Sequence, residues 1–142
     1  MMRALFIPNT KLNVASTRVS IGLLILRIVF GVAFIAHGWG KIQAPFNWMG
    51  PESPVPGILQ FLAALSEFGG GIALIVGVLT PLVSLGLIVT MAVAVFVHAS
   101  KGDGFVGGFE PALVYLCISV LFFCAGPGKF SIDSFIDDKL RR

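Results

Sequence analysis

Four long apolar segments constrain this chain more than any other feature of its sequence. They cover about residues 19–39, 57–79, 82–99 and 111–125, and segments of roughly 15 to 23 residues can cross a bilayer once tilt is allowed. With 12% charged residues, the chain has too few polar side chains to cover a soluble domain, in which about a quarter of residues are charged. We therefore predict an all-α fold, a four-helix transmembrane bundle that makes residues 1–142 a single membrane domain in contact with the lipid bilayer.

Basic residues are unevenly divided between the two ends of this predicted bundle. Four spans place both termini at the same end as the turn around Thr80 and Pro81, and Lys41 and Lys101 at the opposite end. The basic residues at the terminal end are Arg3, Lys11, Arg18, Lys129, Lys139, Arg141 and Arg142. Because cytoplasmic segments carry the excess of Lys and Arg, we predict that both termini are cytoplasmic. Nucleic acid is not an implied partner.

The segment after the fourth span carries the pattern of a short amphipathic helix. Gly126, Pro127 and Gly128 end the span, and Ser131 is a suitable cap for a new helix. The apolar residues that follow at spacings of three and four are Ile132, Phe135, Ile136 and Leu140. This stripe predicts a helix lying on the cytoplasmic leaflet.

The two long connections have different compositions. Residues 42–56 combine four prolines with Phe46, Trp48 and Met49, which predicts an irregular aromatic cover at the outer interface. Residues 101–109 contain four glycines and suit either a flexible linker or a close approach to a ligand.

Two charged residues lie within the predicted spans, Arg27 in the first and Glu67 in the second. A charge at the centre of a membrane helix costs roughly 2.5 to 3.5 kcal/mol on insertion scales, so each needs a partner or a purpose. Their depths differ by roughly 6 Å, within reach of an arginine side chain. We therefore predict an Arg27–Glu67 ion pair inside the bundle, acting either as a helix clamp or as part of a ligand site.

Small residues favour close packing beside these charges. Gly31 and Gly38 share a face with Arg27 on the first span, and a row of Gly69, Ala73 and Gly77 recurs on the second. Such rows let membrane helices approach closely.

A second polar group is predicted at the outer ends of the spans: His37, Lys41, His98 and Glu110. These side chains suit hydrogen bonding and proton exchange with a quinone head group. A metal held by both histidines and Glu110, a haem between the histidines, and interfacial hydrogen bonding without a ligand are the alternatives. A quinone and hydrogen bonding without a ligand are the two leading interpretations, and we expect neither a metal nor a haem.

The order and spacing of these features resemble the DoxX family of small four-span bacterial membrane proteins, over about residues 20 to 136. The matching residues are Arg27, His37-Gly38, Lys41, Glu67, Gly69 to Gly71, Leu79-Thr80-Pro81, His98, Glu110, Gly126-Pro127-Gly128-Lys129 and Ser131-Ile132-Asp133. The resemblance implies a bacterial cytoplasmic (inner) membrane protein. Branches of the family resemble the membrane subunit of thiosulfate:quinone oxidoreductase, act in resistance to hydroquinones and catechols, or belong to an oxidative-stress membrane complex.

These features lead to a hypothesis of a quinone-linked oxidoreductase subunit or accessory protein in redox or hydroquinone stress. Its catalytic residues would be Glu67, His98 and Glu110. Its ligand-binding residues would be Arg27, His37 and Lys41. The sequence has no dinucleotide glycine fingerprint, clustered cysteines or haem-attachment motif, so electrons would come from a membrane or peripheral redox protein or from a diffusible donor. The alternatives are a non-catalytic module that stabilises a partner enzyme and a small transporter or proton path, for which a homo-oligomer could supply further spans.

Overall fold

The computed structural model describes residues 17–140. Within that range the fold is all-α, with helices joined by turns and irregular connections. The helices are α1 Thr17–Gln43, α2 Gly57–Val76, α3 Thr80–Ser100, α4 Glu110–Ala125 and α5 Ile132–Leu140. The first four are long and apolar enough to cross a membrane, when the fourth is counted from Phe105. The predicted four-span bundle with a short C-terminal helix is confirmed. Four of the basic residues used to predict orientation lie outside the described residues: Arg3, Lys11, Arg141 and Arg142.

The two ends of the bundle differ in how the helices are joined. At one end, the start of α1, the α2–α3 turn and the α4–α5 connection come together, and we call this the terminal end. The opposite end carries residues 44–56 and 101–109, and we call it the loop end. At the loop end a kinked helical turn, Phe105–Phe109, leads directly into α4, so residues 101–104 alone form the irregular part of the glycine-rich connection.

The turn between α2 and α3 occupies only residues 77–79. Gly77 has a φ of 69°, and its N–H bonds the carbonyls of Ala73 and Leu74, which ends α2 at Val76. This is earlier than the predicted end at residue 79, because a left-handed glycine closes the last helical turn. Leu79 also has a positive φ, 51°, a conformation that branched side chains rarely adopt.

Glycine contacts bring α1 and α2 close together. A Cβ on Gly31 would lie 2.6 Å from the carbonyl oxygen of Gly71, and one on Gly38 would lie 2.6 Å from the backbone nitrogen of Phe68. The predicted small-residue packing is confirmed for α1. For α2 the predicted row is confirmed only at Gly77, where a Cβ would lie 2.7 Å from Arg27 Nη1. A Cβ on Gly69 would meet only its own helix, and Gly71 is the glycine that faces α1 near its middle.

An aromatic cluster joins α1 to α4. The ring centroids of Phe30 and Tyr115 lie 5.3 Å apart, those of Phe34 and Tyr115 5.4 Å apart, and those of Phe30 and Phe122 6.0 Å apart. Edge-to-face and tilted arrangements at these distances are favourable. This cluster, with Leu74 and Leu87 from α2 and α3, forms the apolar core between the two polar ends.

Candidate functional site

Lys41 and Glu67 form a buried ion pair that opens toward the loop end. The Lys41 Nζ atom lies 2.6 Å from Glu67 Oε1 and 2.7 Å from Oε2. The Glu67 side chain is 2% exposed, whereas that of Lys41 is 26% exposed. A carboxylate deep in the bundle is therefore joined to the surface by a single lysine.

The direction of helical side chains explains why this pair forms. Side chains on an α-helix lean toward the N-terminus of their own helix. Lys41, in the last turn of α1, therefore leans from the loop end into the bundle, while Glu67 on the antiparallel α2 leans outward toward it. The glycine contacts between α1 and α2 make the distance short enough for one lysine side chain.

Trp48 covers the ion pair from the connection between α1 and α2. Lys41 Nζ lies 4.7 Å from the Trp48 ring centroid, a cation–π distance. The Trp48 Nε1–H donates to the carbonyl oxygen of Gln60 at 2.9 Å. The Gln60 side chain in turn accepts from the Met49 N–H at 3.0 Å and donates to the Val55 carbonyl at 2.9 Å. The predicted aromatic cover is thus held in place by one buried glutamine at the start of α2.

Phe46 adds a second aromatic surface next to this cover. Its ring stacks on Phe61 of α2, with centroids 5.1 Å apart and an angle of 12° between the planes. The loop end therefore presents a lysine, a buried carboxylate and flat aromatic rings within one part of the bundle. This combination suits a planar ligand with a polar edge.

The predicted Arg27–Glu67 pair is wrong. Arg27 is 1% exposed, and its guanidinium donates to three backbone carbonyls at the terminal end: Pro127 at 2.7 Å, Phe130 at 2.9 Å and Ile75 at 3.2 Å. Ile75 lies eight residues after Glu67, about 12 Å further along α2. Arg27 leans toward the N-terminus of α1, which carries its charge away from Glu67. The depths of the two Cα atoms alone do not reveal this direction.

Arg27 belongs instead to a structural network that ties α5 to the spans. Asp133 accepts from the backbone N–H groups of Leu79 and Thr80 at 2.8 Å and 2.9 Å, capping the N-terminus of α3. The Asp133 N–H also donates to the Gly77 carbonyl at 2.9 Å. Arg27 stabilises the carbonyl ends of α2 and α4 beside it. The expectation that buried charges are enclosed by the bundle is confirmed, but the two charges are enclosed at opposite ends.

The other predicted outer residues do not converge on one point. His37 is exposed on α1, and its ring centroid lies 5.8 Å from that of Tyr115. His98 Nδ1 lies 2.7 Å from Asp103 Oδ2, with both side chains more than 40% exposed. Glu110 is the first residue of α4, and Pro111 follows it in the first turn, as predicted. Within residues 17–140 no three His, Cys, Asp or Glu side chains come together as metal ligands.

Three residues that shape the two ends of the bundle had no role assigned from sequence: Gln60, Asp103 and Asp133. Gln60 was the clearest available signal, because a glutamine three residues into an apolar span needs hydrogen-bond partners. Asp133 follows the capping residue Ser131, which bonds the Ser134 N–H at 3.1 Å as predicted. No local pattern showed that Asp133 would cap a different helix.

Fold and site define a small multi-pass membrane protein whose bundle encloses a Lys–Glu pair at one end and a carbonyl-bound arginine at the other. The chain belongs to the DoxX family, whose family model matches residues 22–100. It is 32% identical over 131 residues to the inner membrane protein YqjF of Escherichia coli (strain K12), covering 84% of this chain and 95% of that protein. These findings make it a multi-pass inner membrane protein.

Two further relatives match over most of the chain. An uncharacterized protein of Haemophilus influenzae is 35% identical over 118 residues, which is 79% of this chain and 88% of that protein. A Bacillus subtilis (strain 168) protein named "Putative oxidoreductase CatD" is 26% identical over 119 residues, covering 82% of this chain and 87% of that protein. No solved structure matches the chain significantly.

Proposed function

We propose that this protein is the membrane component of a quinone-linked oxidoreductase, which binds a quinone or hydroquinone head group beside Lys41 and Glu67. The observation that carries the proposal is a carboxylate, 2% exposed, near the middle of α2 and paired with a lysine that reaches the loop end. A helix clamp alone would be served as well or better by apolar side chains. A retained intramembrane carboxylate therefore favours a functional role.

The pair has the chemistry that a quinone requires. Reduction of a quinone to a hydroquinone takes two electrons and two protons. The Lys41 ammonium can donate a hydrogen bond to a ring oxygen, and Glu67 can accept the proton of a hydroquinone hydroxyl. A redox protein or a diffusible reductant supplies the electrons. Quinones dissolve in the bilayer, and Lys41, which is 26% exposed, is the member of the pair that an incoming head group contacts first.

The other residues predicted from sequence differ in their proposed roles: one contacts the ligand, others exchange protons with water, and one has no role in the site. His37, which is exposed one helical turn before Lys41, would contact the edge of a head group bound at Lys41. His98 with Asp103, and Glu110 at the start of α4, exchange protons with water at the loop end. Arg27 is not part of the proposed ligand site, because its guanidinium donates to backbone carbonyls at the terminal end. The name of the Bacillus subtilis relative agrees with a redox role.

The proposal also includes an orientation, with the termini in the cytoplasm and the loop end facing outward. The bias of Lys and Arg toward the terminal end supports it. Lys101→Cys, at an exposed position of the loop end, should then react with a membrane-impermeant maleimide added outside intact spheroplasts. Labelling only after lysis would contradict this orientation.

Trp48 provides a direct test of quinone binding. The chain has two tryptophans, so a Trp39→Phe variant retains Trp48 alone. In nanodiscs, a short-chain quinone should quench Trp48 fluorescence with saturation. Glu67→Gln and Lys41→Met in this background should weaken the apparent affinity at least tenfold, while Glu52→Gln, an exposed acid in the same connection, should not.

Quenching that never saturates and is equal in the parent and the Glu67→Gln variant would contradict the proposal, because it would report partition into lipid alone. Mass spectrometry of ligands extracted from the purified protein gives a second readout, in which a bound quinone supports the proposal. A stoichiometric protein partner without quinone would instead favour the non-catalytic module.

A further inference from the structure

The short helix α5 buries two of its three acidic residues and exposes most of its apolar ones. Asp133 and Asp137 are 4% and 7% exposed, whereas Phe135 and Leu140 are 61% and 65% exposed. An amphipathic helix packed on a protein core in water shows the opposite arrangement. The apolar face of α5 therefore needs an environment other than the bundle.

The contacts of Asp133 fix this orientation. Its carboxylate caps α3 through the N–H groups of Leu79 and Thr80, and its own N–H donates to Gly77. Asp137, one helical turn later, lies on the same buried face. Rotating α5 to bury Phe135 would break the cap on α3. The outward position of the apolar residues is thus a consequence of the fold at the terminal end.

The exposed apolar surface continues beyond α5 and has cationic residues around it. Phe130 and Ile132 are 47% and 43% exposed. Lys129 and Lys139 are both exposed, as is Arg18 at the start of α1. Lys139 Nζ lies 4.8 Å from the Phe135 ring centroid, a cation–π distance, so this cation borders the exposed aromatic ring. One acidic residue of α5, Asp138, is exposed as well. The exposed cations around this surface, Arg18, Lys129 and Lys139, outnumber it.

We propose that α5 and Phe130 form an interfacial helix that binds anionic phospholipid at the terminal end of the bundle. In this arrangement Phe135 and Leu140 enter the acyl region, and Lys129 and Lys139 contact lipid phosphates. Apolar side chains bordered by lysines are typical of helices that lie in the membrane interface. The lysines give a preference for acidic over zwitterionic headgroups. This site is at the opposite end from Lys41 and Glu67 and does not depend on the proposed quinone chemistry.

Lipid retention tests the headgroup preference. The full-length protein is extracted from membranes of equal phosphatidylglycerol and phosphatidylethanolamine content, and its bound lipids are counted by native mass spectrometry. Lys129→Gln with Lys139→Gln should lower phosphatidylglycerol retention at least threefold. Lys101→Gln, which changes an exposed lysine at the loop end, should leave it unchanged. Equal retention in the double variant and in the Lys101→Gln control would overturn the proposal.

Fluorescence quenching tests the position of the apolar face. Phe135→Trp in nanodiscs should add emission that is quenched by lipids brominated on the acyl chain and protected from iodide. Leu140→Trp is a second reporter in case the first variant folds poorly, and Val89→Trp on the exposed face of α3 gives the reference for full contact with lipid. Quenching of the added emission by iodide alone would place the face in water and overturn the proposal, making a protein partner the alternative.

Discussion

Lys41 and Glu67 are separated by 26 positions in sequence, yet Lys41 Nζ lies 2.6 Å and 2.7 Å from the two carboxylate oxygens. Arg27, the other charge within a span, makes its contacts with backbone carbonyls at the far end of the bundle. The bundle therefore has two separate polar centres, with an aromatic core between them. One centre has the composition of a ligand site, and the other has that of a joint between helices.

Removing one partner of the Lys41–Glu67 pair should destabilise the bundle. Lys41→Met leaves a buried carboxylate without its counter-charge, and because Lys41 is 26% exposed, water screens part of the loss. We expect about 2 to 3 kcal/mol, below the roughly 3 to 5 kcal/mol typical of fully buried pairs. Thermal unfolding in detergent, followed by tryptophan fluorescence, measures the change.

The double variant Lys41→Met/Glu67→Gln is the control for this interpretation. It should recover most of the stability lost in Lys41→Met, since no unpaired charge remains buried. A double variant as unstable as the single one would show that packing, and not charge, explains the loss.

Arg27 should not be replaceable by lysine. Its planar guanidinium donates to three carbonyls from two separate segments, a geometry that a single ammonium does not reproduce. Arg27→Lys should lower the free energy of unfolding by about 2 kcal/mol, the scale of losing one or two charge-assisted hydrogen bonds. Arg18→Lys, at an exposed position of the same helix, should have no effect. Equal stability of both variants by chemical denaturation would refute the assigned role.

Asp133 should hold α5 against the spans. Asp133→Ala removes the cap of α3 and should cost about 1 to 2 kcal/mol. Hydrogen exchange should increase at the amides of Leu79 and Thr80 and throughout α5. Asp138→Ala, which removes an exposed acid on the same helix, should change neither the stability nor the hydrogen exchange. Unchanged protection of the α5 amides in the Asp133→Ala variant would contradict the prediction.

A methyl group at the α1–α2 contact should separate the two helices. A Cβ on Gly31 would lie 2.6 Å from a backbone oxygen, whereas one on Gly22 would meet nothing within 4 Å. Gly31→Ala should therefore destabilise the protein by about 1 to 3 kcal/mol. Gly22→Ala should be neutral or stabilise it by up to about 1 kcal/mol. Thermal unfolding of the two variants side by side gives the comparison, and equal effects would exclude a close contact at Gly31.

The number of helices and their approximate limits could be predicted from sequence because apolar length is a local property. Start signals such as Pro111 and Ser131 and the stop signal at Gly126 also act within one or two turns. The need to enclose Arg27 and Glu67 followed from the energy of charge in hydrocarbon alone. These predictions required no knowledge of which helices are neighbours.

The choice of partners depended on the tertiary structure. Glu67 lies between Arg27 and Lys41 in depth, so either cation was a plausible partner by residue type. Only the direction of each side chain and the glycine contact between α1 and α2 selected Lys41 for Glu67. Asp133 likewise caps α3 across more than fifty residues, a relationship with no local signature. Sequence thus determined which groups must be enclosed within the bundle, because the free energy of exposing a charge to hydrocarbon is a property of each residue separately. Packing decided where they meet, because contact geometry belongs to pairs of helices.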